Sequence, residues 1–261
     1  MSEVSNNLFK EGFEIIREEG SVALVKRIPR AAYARILPLE SRIGIRLRLQ
    51  ALRGYTVLSD PLKPIHVDPN RLKYSSNARF VPEKYYVGRI LSGDWDKQRT
   101  RLENTDTYQG LYDRFVDGRP WEETAYYERA KDAIEAEGEY LGYTCADEFL
   151  ESRCRFVDEL YYSLHKNGYQ SVEKDRPNDS RRPWSNKDPT EISVVIGRNG
   201  KMLLHDGHHR LVLSQFLDLD EIPIHILIRH EKWQQRREAI ASKADCEQDN
   251  ISHPDMQNIT T

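Results

Sequence analysis

The sequence predicts an α+β fold, on three observations. Apolar residues between Pro120 and Gly168 recur at helical spacing, whereas residues 191–206 alternate at the two-residue period of a strand. A short helical pattern and one more alternating run then follow, ending at His230.

The elements follow in chain order. Residues 8–19 (LFKEGFEIIREE) and about 31–53 read as helices, interrupted by Pro29 and Pro38. Ser59–Pro64 reads as a turn, and an extended piece follows in which Ile65 and Val67 alternate with His66 and Asp68 until Pro69. Pro120 with Glu122 and Glu123 opens a helix, because acids suit the positive end of its dipole. Tyr126, Ala130, Ala133 and Ile134 form its apolar side, and Gly138 ends it. Thr144 with Asp147 predicts a capped start for the next helix. Its stripe is Leu150, Cys154, Val157, Leu160, Tyr161 and Leu164, and it stops at Asn167-Gly168. Within that stripe Cys154 reads as a small buried hydrophobe rather than a reactive thiol.

Ile192, Val194 and Ile196 begin a hairpin whose turn is read as a two-residue type I′ turn at Asn199-Gly200. Its second strand runs into Asp206-Gly207 and a helix over His208–Leu217, after which Asp218 stands where a glycine is common. A last strand sets Ile222, Ile224, Ile226 and Ile228 on one face, with His225 on the other. From about Ala239 the chain is polar and unpatterned, so residues 239–261 are expected to be a disordered tail.

The chain has 261 residues, 38% hydrophobic and 31% charged, with a mean hydropathy of −0.74. Its 4 Trp, 14 Tyr and 7 Phe are too many large anchors for a mainly disordered protein. No apolar run approaches the roughly 18 residues of a membrane span, and the N-terminus lacks a signal-peptide pattern, so a cytoplasmic location is expected. Three cysteines without a C-x-x-C pair indicate neither a disulfide framework nor a cysteine zinc site. The net charge of −3 excludes a uniformly basic nucleic-acid coat. Between Gly20 and Tyr55, however, eight basic residues (Lys26, Arg27, Arg30, Arg35, Arg42, Arg46, Arg48 and Arg53) face only Glu40. That basic arm could contact DNA or lie solvated.

The candidate site is Asp206–Arg210. A strand delivers Gly207 to a helix N-terminus, where exposed N–H groups and a partial positive charge suit phosphate. Gly207 permits close approach to the backbone, and His209 and Arg210 add donors, Arg210 with bidentate geometry. The competing reading makes Asp206 a simple N-cap and Gly207 a turn residue. His205, His208 and His209 do not read as a metal site, since adjacent helical residues diverge by about 100°. Arg181 and Arg182 read as a charged loop that could reach the same phosphate.

The string H-D-G-H-H-R-L-V-L-S-Q-F-L-D-L-D-E-I-P-I (His205–Ile224) resembles the signature helix and "-IP-" strand of the ParB/sulfiredoxin superfamily. The helix Asp158–Tyr169 is similar to the one that precedes that strand, and Ile65–Tyr74 to the family's opening box. Gly93–Asp96 (GDWD), Pro120–Thr124 (PWEET) and Asp206–Arg210 (DGHHR) also resemble segments of haloarchaeal ParB-like proteins. The resemblance implies a ParB/sulfiredoxin-like small mixed sheet with packed helices over residues 61–238. A helical insertion is expected at about 75–150, with residues 1–60 as a basic helical N-terminal region. It implies a nucleotide partner, ATP or CTP with Mg²⁺, held by Gly207, His209 and Arg210. Asp206 and His208 would be the catalytic residues, with Asp158 and Glu159 as further candidates for a base. His208 stands where sulfiredoxins carry their cysteine, which counts against that chemistry. Only about thirty mostly polar residues follow His230, so no helix-turn-helix DNA reader is expected there.

Overall fold

In this computed structural model, residues 39–80, 86–170, 192–242 and 253–256 are described, and side chains from Ile43 onward. The helix expected over 8–19, Arg181, Arg182 and most of the basic arm lie outside these residues.

Helix α1 spans Leu39–Leu52. The expected extended piece is β1 (Ile65–Val67), closed by a 3₁₀ turn at Pro69–Arg71 that Asp68 caps through the Asn70 N–H. Three short strands follow: β2 (Tyr74–Ser76), β3 (Arg89–Leu91) and β4 (Arg99–Arg101). The helical insertion expected over 75–150 is therefore corrected, because its first third contributes strands to the sheet. At three residues each, these strands are too short to show a period.

Helix α2 (Asp106–Phe115) is capped by Thr105, and α3 (Ala125–Glu137) by Thr124 rather than by the Pro120 segment, which forms a 3₁₀ turn. Gly138 ends α3 in the left-handed conformation, as its sequence predicts. The next helix begins at Ala146 without the expected Thr144 cap and passes through a π-helical turn at Phe149–Cys154. It continues as α4 (Arg155–Asn167). Cys154, Val157, Leu160 and Leu164 are buried along it, and burial pushes the Cys154 thiol up to about 12. That thiol is inert at neutral pH.

Strands β5 (Ile192–Ile196) and β6 (Met202–Asp206) form the expected hairpin with a different turn. Gly200 donates to the Gly197 carbonyl and Gly197 to that of Lys201, so Arg198 and Asn199 occupy the centre. Gly200 takes φ +84°, and the loop is a three-residue connection ending in a left-handed glycine. The Trp233 ring lies where a Gly200 Cβ would project, 2.4 Å from its Cζ3, and Asp96 grips Arg198 through backbone and guanidinium. Tertiary contacts thus decide the turn type.

Helix α5 (His208–Phe216), β7 (Ile222–His230) and α6 (Glu231–Ala241) follow. The mixed sheet runs β1-β7-β5-β6-β2-β4, with β3 also on β7. Nine residues of β7 let β1 (at Ile222–Ile224) and β3 (at Ile228–His230) share its outer edge end to end.

Both sheet faces are covered. One carries Ile192, Val194, Ile196, Leu204, Ile222, Ile224 and Ile226 against Leu211 of α5. The other packs Val195, Leu203, Leu227 and Ile228 against Ile43 of α1 and Phe80. Ile228 therefore departs from its expected face. The β5–β7 register slips between Val194 and Val195, and this irregularity turns Leu227 and Ile228 to the same side. Beyond α5, helices α2, α3 and α4 form a third layer in which Val212 and Leu213 meet Trp121, Tyr126, Phe149 and Val157. Burial on both sides explains why α5 is apolar through its middle.

The expectation of a disordered tail is also corrected at two places. Helix α6 extends to Ala241, and Pro254–Met256 returns as a buried turn. Asp255 there accepts from both Arg229 Nε and Nη2 and from Trp233 Nε1, with Arg237 Nε at 3.4 Å. No helix among the described residues is long and apolar enough to cross a membrane.

Candidate functional site

Strand β6 ends at Asp206, Gly207 turns the chain with φ +86°, and α5 starts at His208 with no side-chain cap. Asp206 is exposed, and its Oδ1 accepts the Gly207 N–H at 2.7 Å. That N–H precedes the helix, so the carboxylate does not cap the first turn of α5. The simple N-cap reading of Asp206 is thereby replaced by a local turn contact. Gly207 also makes a close approach within the protein. A Cβ at this residue would lie 2.8 Å from Ile192 Cα, so the absent side chain makes room for β5.

The basic side chains of the motif fan apart. His208 Nε2 lies 3.0 Å from Ser75 Oγ on the neighbouring strand β2. His209 is edge-on to Tyr126 at 5.2 Å, and its Nδ1 is 3.4 Å from Arg153 Nη2. Arg153 Nε in turn donates to the Tyr126 hydroxyl, which joins the motif to the helical layer. Arg210 lies over the Tyr169 ring, 5.7 Å to its centroid, and donates to the Gln170 carbonyl at 3.3 Å. His205 packs against Phe80 on the opposite sheet face. His208, His209 and Arg210 thus surround the helix start without meeting at one point. Among the described residues no group of three or more His, Cys, Asp or Glu is placed to hold a metal ion.

Burial holds the His208 imidazole below its ordinary range, and the nearby Asp206 charge only partly offsets this. The ring is therefore neutral at pH 7. A depressed native value means that the unfolded chain binds the proton more tightly, so His208 stabilises the fold above about pH 6.5 and loses that contribution as pH falls. His208→Gln, which keeps a donor toward Ser75, is expected to flatten the drop in urea midpoint between pH 7 and 5. An unchanged drop would refute the assignment.

The remaining acid candidates are employed elsewhere. Asp158 accepts from Arg114 Nε and Nη2 and from Trp121 Nε1, a clamp within the helical layer. Glu159 is exposed and pairs with Arg155 one turn away. Of the basic arm, Arg46 points inward and donates to the Val87 carbonyl, which docks α1 beside β3. Ser75 escaped the sequence reading, since its partner is 133 residues away and its three-residue strand carries no signal. Comparison of the chain with family models, curated proteins and solved structures gives no match.

Proposed function

We propose that the chain is a nucleotide-binding protein of ParB/sulfiredoxin-like type, receiving phosphate at the first turn of α5. The observation that carries this reading is a nine-residue helix that begins at a left-handed glycine with no side chain capping it. Such a turn offers backbone donors and the positive end of a dipole. The motif also resembles the superfamily's nucleotide motif.

The residues present fit a nucleotide carried with Mg²⁺ in these respects. Arg210 lies in the first turn of α5, and its guanidinium fork matches phosphate oxygens bidentately. Asp206 is exposed at the same turn, where its carboxylate can accept the proton of an attacking hydroxyl or water. Bound Mg²⁺ would neutralise phosphate charge through phosphate oxygens and waters. His208, neutral and held by Ser75, supplies orientation and a hydrogen bond rather than charge.

Isothermal titration of ATP, ADP and CTP with Mg²⁺ tests the reading. Arg210→Ala is expected to weaken the preferred nucleotide by about 10- to 100-fold, the value of one charged hydrogen bond. Absence of binding by all three nucleotides to folded wild-type protein would overturn it.

A further inference from the structure

A second concentration of positive charge lies at the β4 edge of the sheet, on the face turned away from α5. Tyr74 of β2 stands opposite Arg101 of β4, and Ser76 opposite Arg99, so Arg99, Tyr74 and Arg101 share one face. Lys201, which leads into β6, approaches the same ring from the other side of β2. The Tyr74 centroid is 4.5 Å from Lys201 Nζ, 5.2 Å from Arg99 Cζ and 5.8 Å from Arg101 Cζ.

Three cations around one phenol ring are weakly compensated. Glu103 takes Arg101 at 3.3 Å, while Asp94 is engaged by Lys97 and Arg198, and Asp96 by Arg198. Among the described residues neither Arg99 nor Lys201 has a carboxylate partner. The ring quadrupole attracts each cation but cannot cancel the repulsion among them, so the cluster favours an anion.

The anion's shape follows from the strand. Side chains at alternate strand positions stand about 6.6–6.8 Å apart, so Arg99 and Arg101 form a straight row suited to successive charges of an extended polyanion. Among the described strands β4 is also the last on its side of the sheet, and the row runs along that edge. An edge protected only against self-association needs charge but no aromatic beneath it. Arg99 held over Tyr74 offers a guanidinium plane on which an unpaired base can stack. We infer that the β2–β4 edge binds single-stranded nucleic acid, with Arg99, Arg101 and Lys201 on its phosphates and the Arg99–Tyr74 pair as stacking platform. This surface lies on the opposite sheet face from α5 and does not depend on nucleotide binding there.

The test is fluorescence anisotropy of the full chain with labelled oligo(dT) and oligo(U) of about 20 nucleotides and a matching duplex, between about 50 and 200 mM salt. Wild type is expected to bind both single strands, and more tightly than the duplex. Single-strand binding loses about 0.7 in log–log salt slope per phosphate contact removed. The Arg99→Ala/Lys201→Ala double variant is therefore expected to flatten the slope by about 1.4 and to weaken binding at low salt at least tenfold. Tyr74→Leu should weaken binding with the slope retained. Circular dichroism and melting temperature confirm that the variants fold. Three results would overturn the inference: no oligonucleotide binding by wild type, a slope unchanged in the double variant, or tighter binding of the duplex.

Discussion

Asp255→Ala is expected to lower the unfolding free energy by about 3–5 kcal/mol, the usual loss when one partner of a buried ion cluster is removed. Asp255 is 4% exposed and Arg237 1% exposed, and Arg229 is nearly as buried. The carboxylate receives Arg229 Nη2 at 2.6 Å and Trp233 Nε1 at 2.8 Å, with Arg237 Nε 3.4 Å away. Without it, two guanidinium groups would face each other in a dry site. Even in the native protein, burial and the Arg229 charge hold Arg237 down to about 10. The same two arginines keep the Asp255 carboxyl below its ordinary value despite burial. Asp255→Asn, which keeps the shape but not the charge, should lose less. Urea denaturation at pH 7 measures both variants. A loss under about 1 kcal/mol for alanine would show that the Pro254–Met256 turn contributes little to the fold. Because typical domains have only about 5–15 kcal/mol in hand, the expected loss would leave much of the chain unfolded on mild heating.

That turn shows where sequence reading stops. Asp255 sits in a polar stretch with no period, and its partners are 18 to 26 residues earlier, so neither propensity nor pattern announces the contact. Strands β2, β3 and β4 were hidden for a related reason: three residues cannot display alternation, and β2 pairs with β6, β3 with β7, and β4 with β2. The long periodic elements were legible. The stripe Cys154–Leu164, the Ile192–Ile196 alternation and the strand–Gly–helix passage at Asp206–His208 all stand as their spacing implied. Spacing also put His205 on the strand and His208 on the helix, and the two side chains touch different partners. It could not say what each motif side chain would touch. Ser75, Tyr126, Arg153 and Tyr169 come from four other parts of the chain, and they determine that His208, His209 and Arg210 diverge.

Gly207→Ala carries the other large expectation, a loss of about 2–4 kcal/mol from two separable causes. The first is conformational, since φ +86° places an alanine in the left-handed region. The second is steric, since its Cβ would lie 2.8 Å from Ile192 Cα and 3.0 Å from its Cγ1, and backbone cannot swing aside as a flexible side-chain tip can. Gly54 supplies the control: its φ is +88°, and nothing lies within 4 Å of the position its Cβ would take. Gly54→Ala should therefore show only the conformational cost, about 1–2 kcal/mol, and the excess at Gly207 measures the pressure against β5. Relief of that pressure would displace β5 at Ile192, beside the start of α5. On the proposed nucleotide-binding reading, affinity is accordingly expected to fall in Gly207→Ala and to stay unchanged in Gly54→Ala, as read by titration well below either melting point. Equal destabilisation in the two variants would show that β5 yields freely, and that Gly207 is required for its backbone conformation alone.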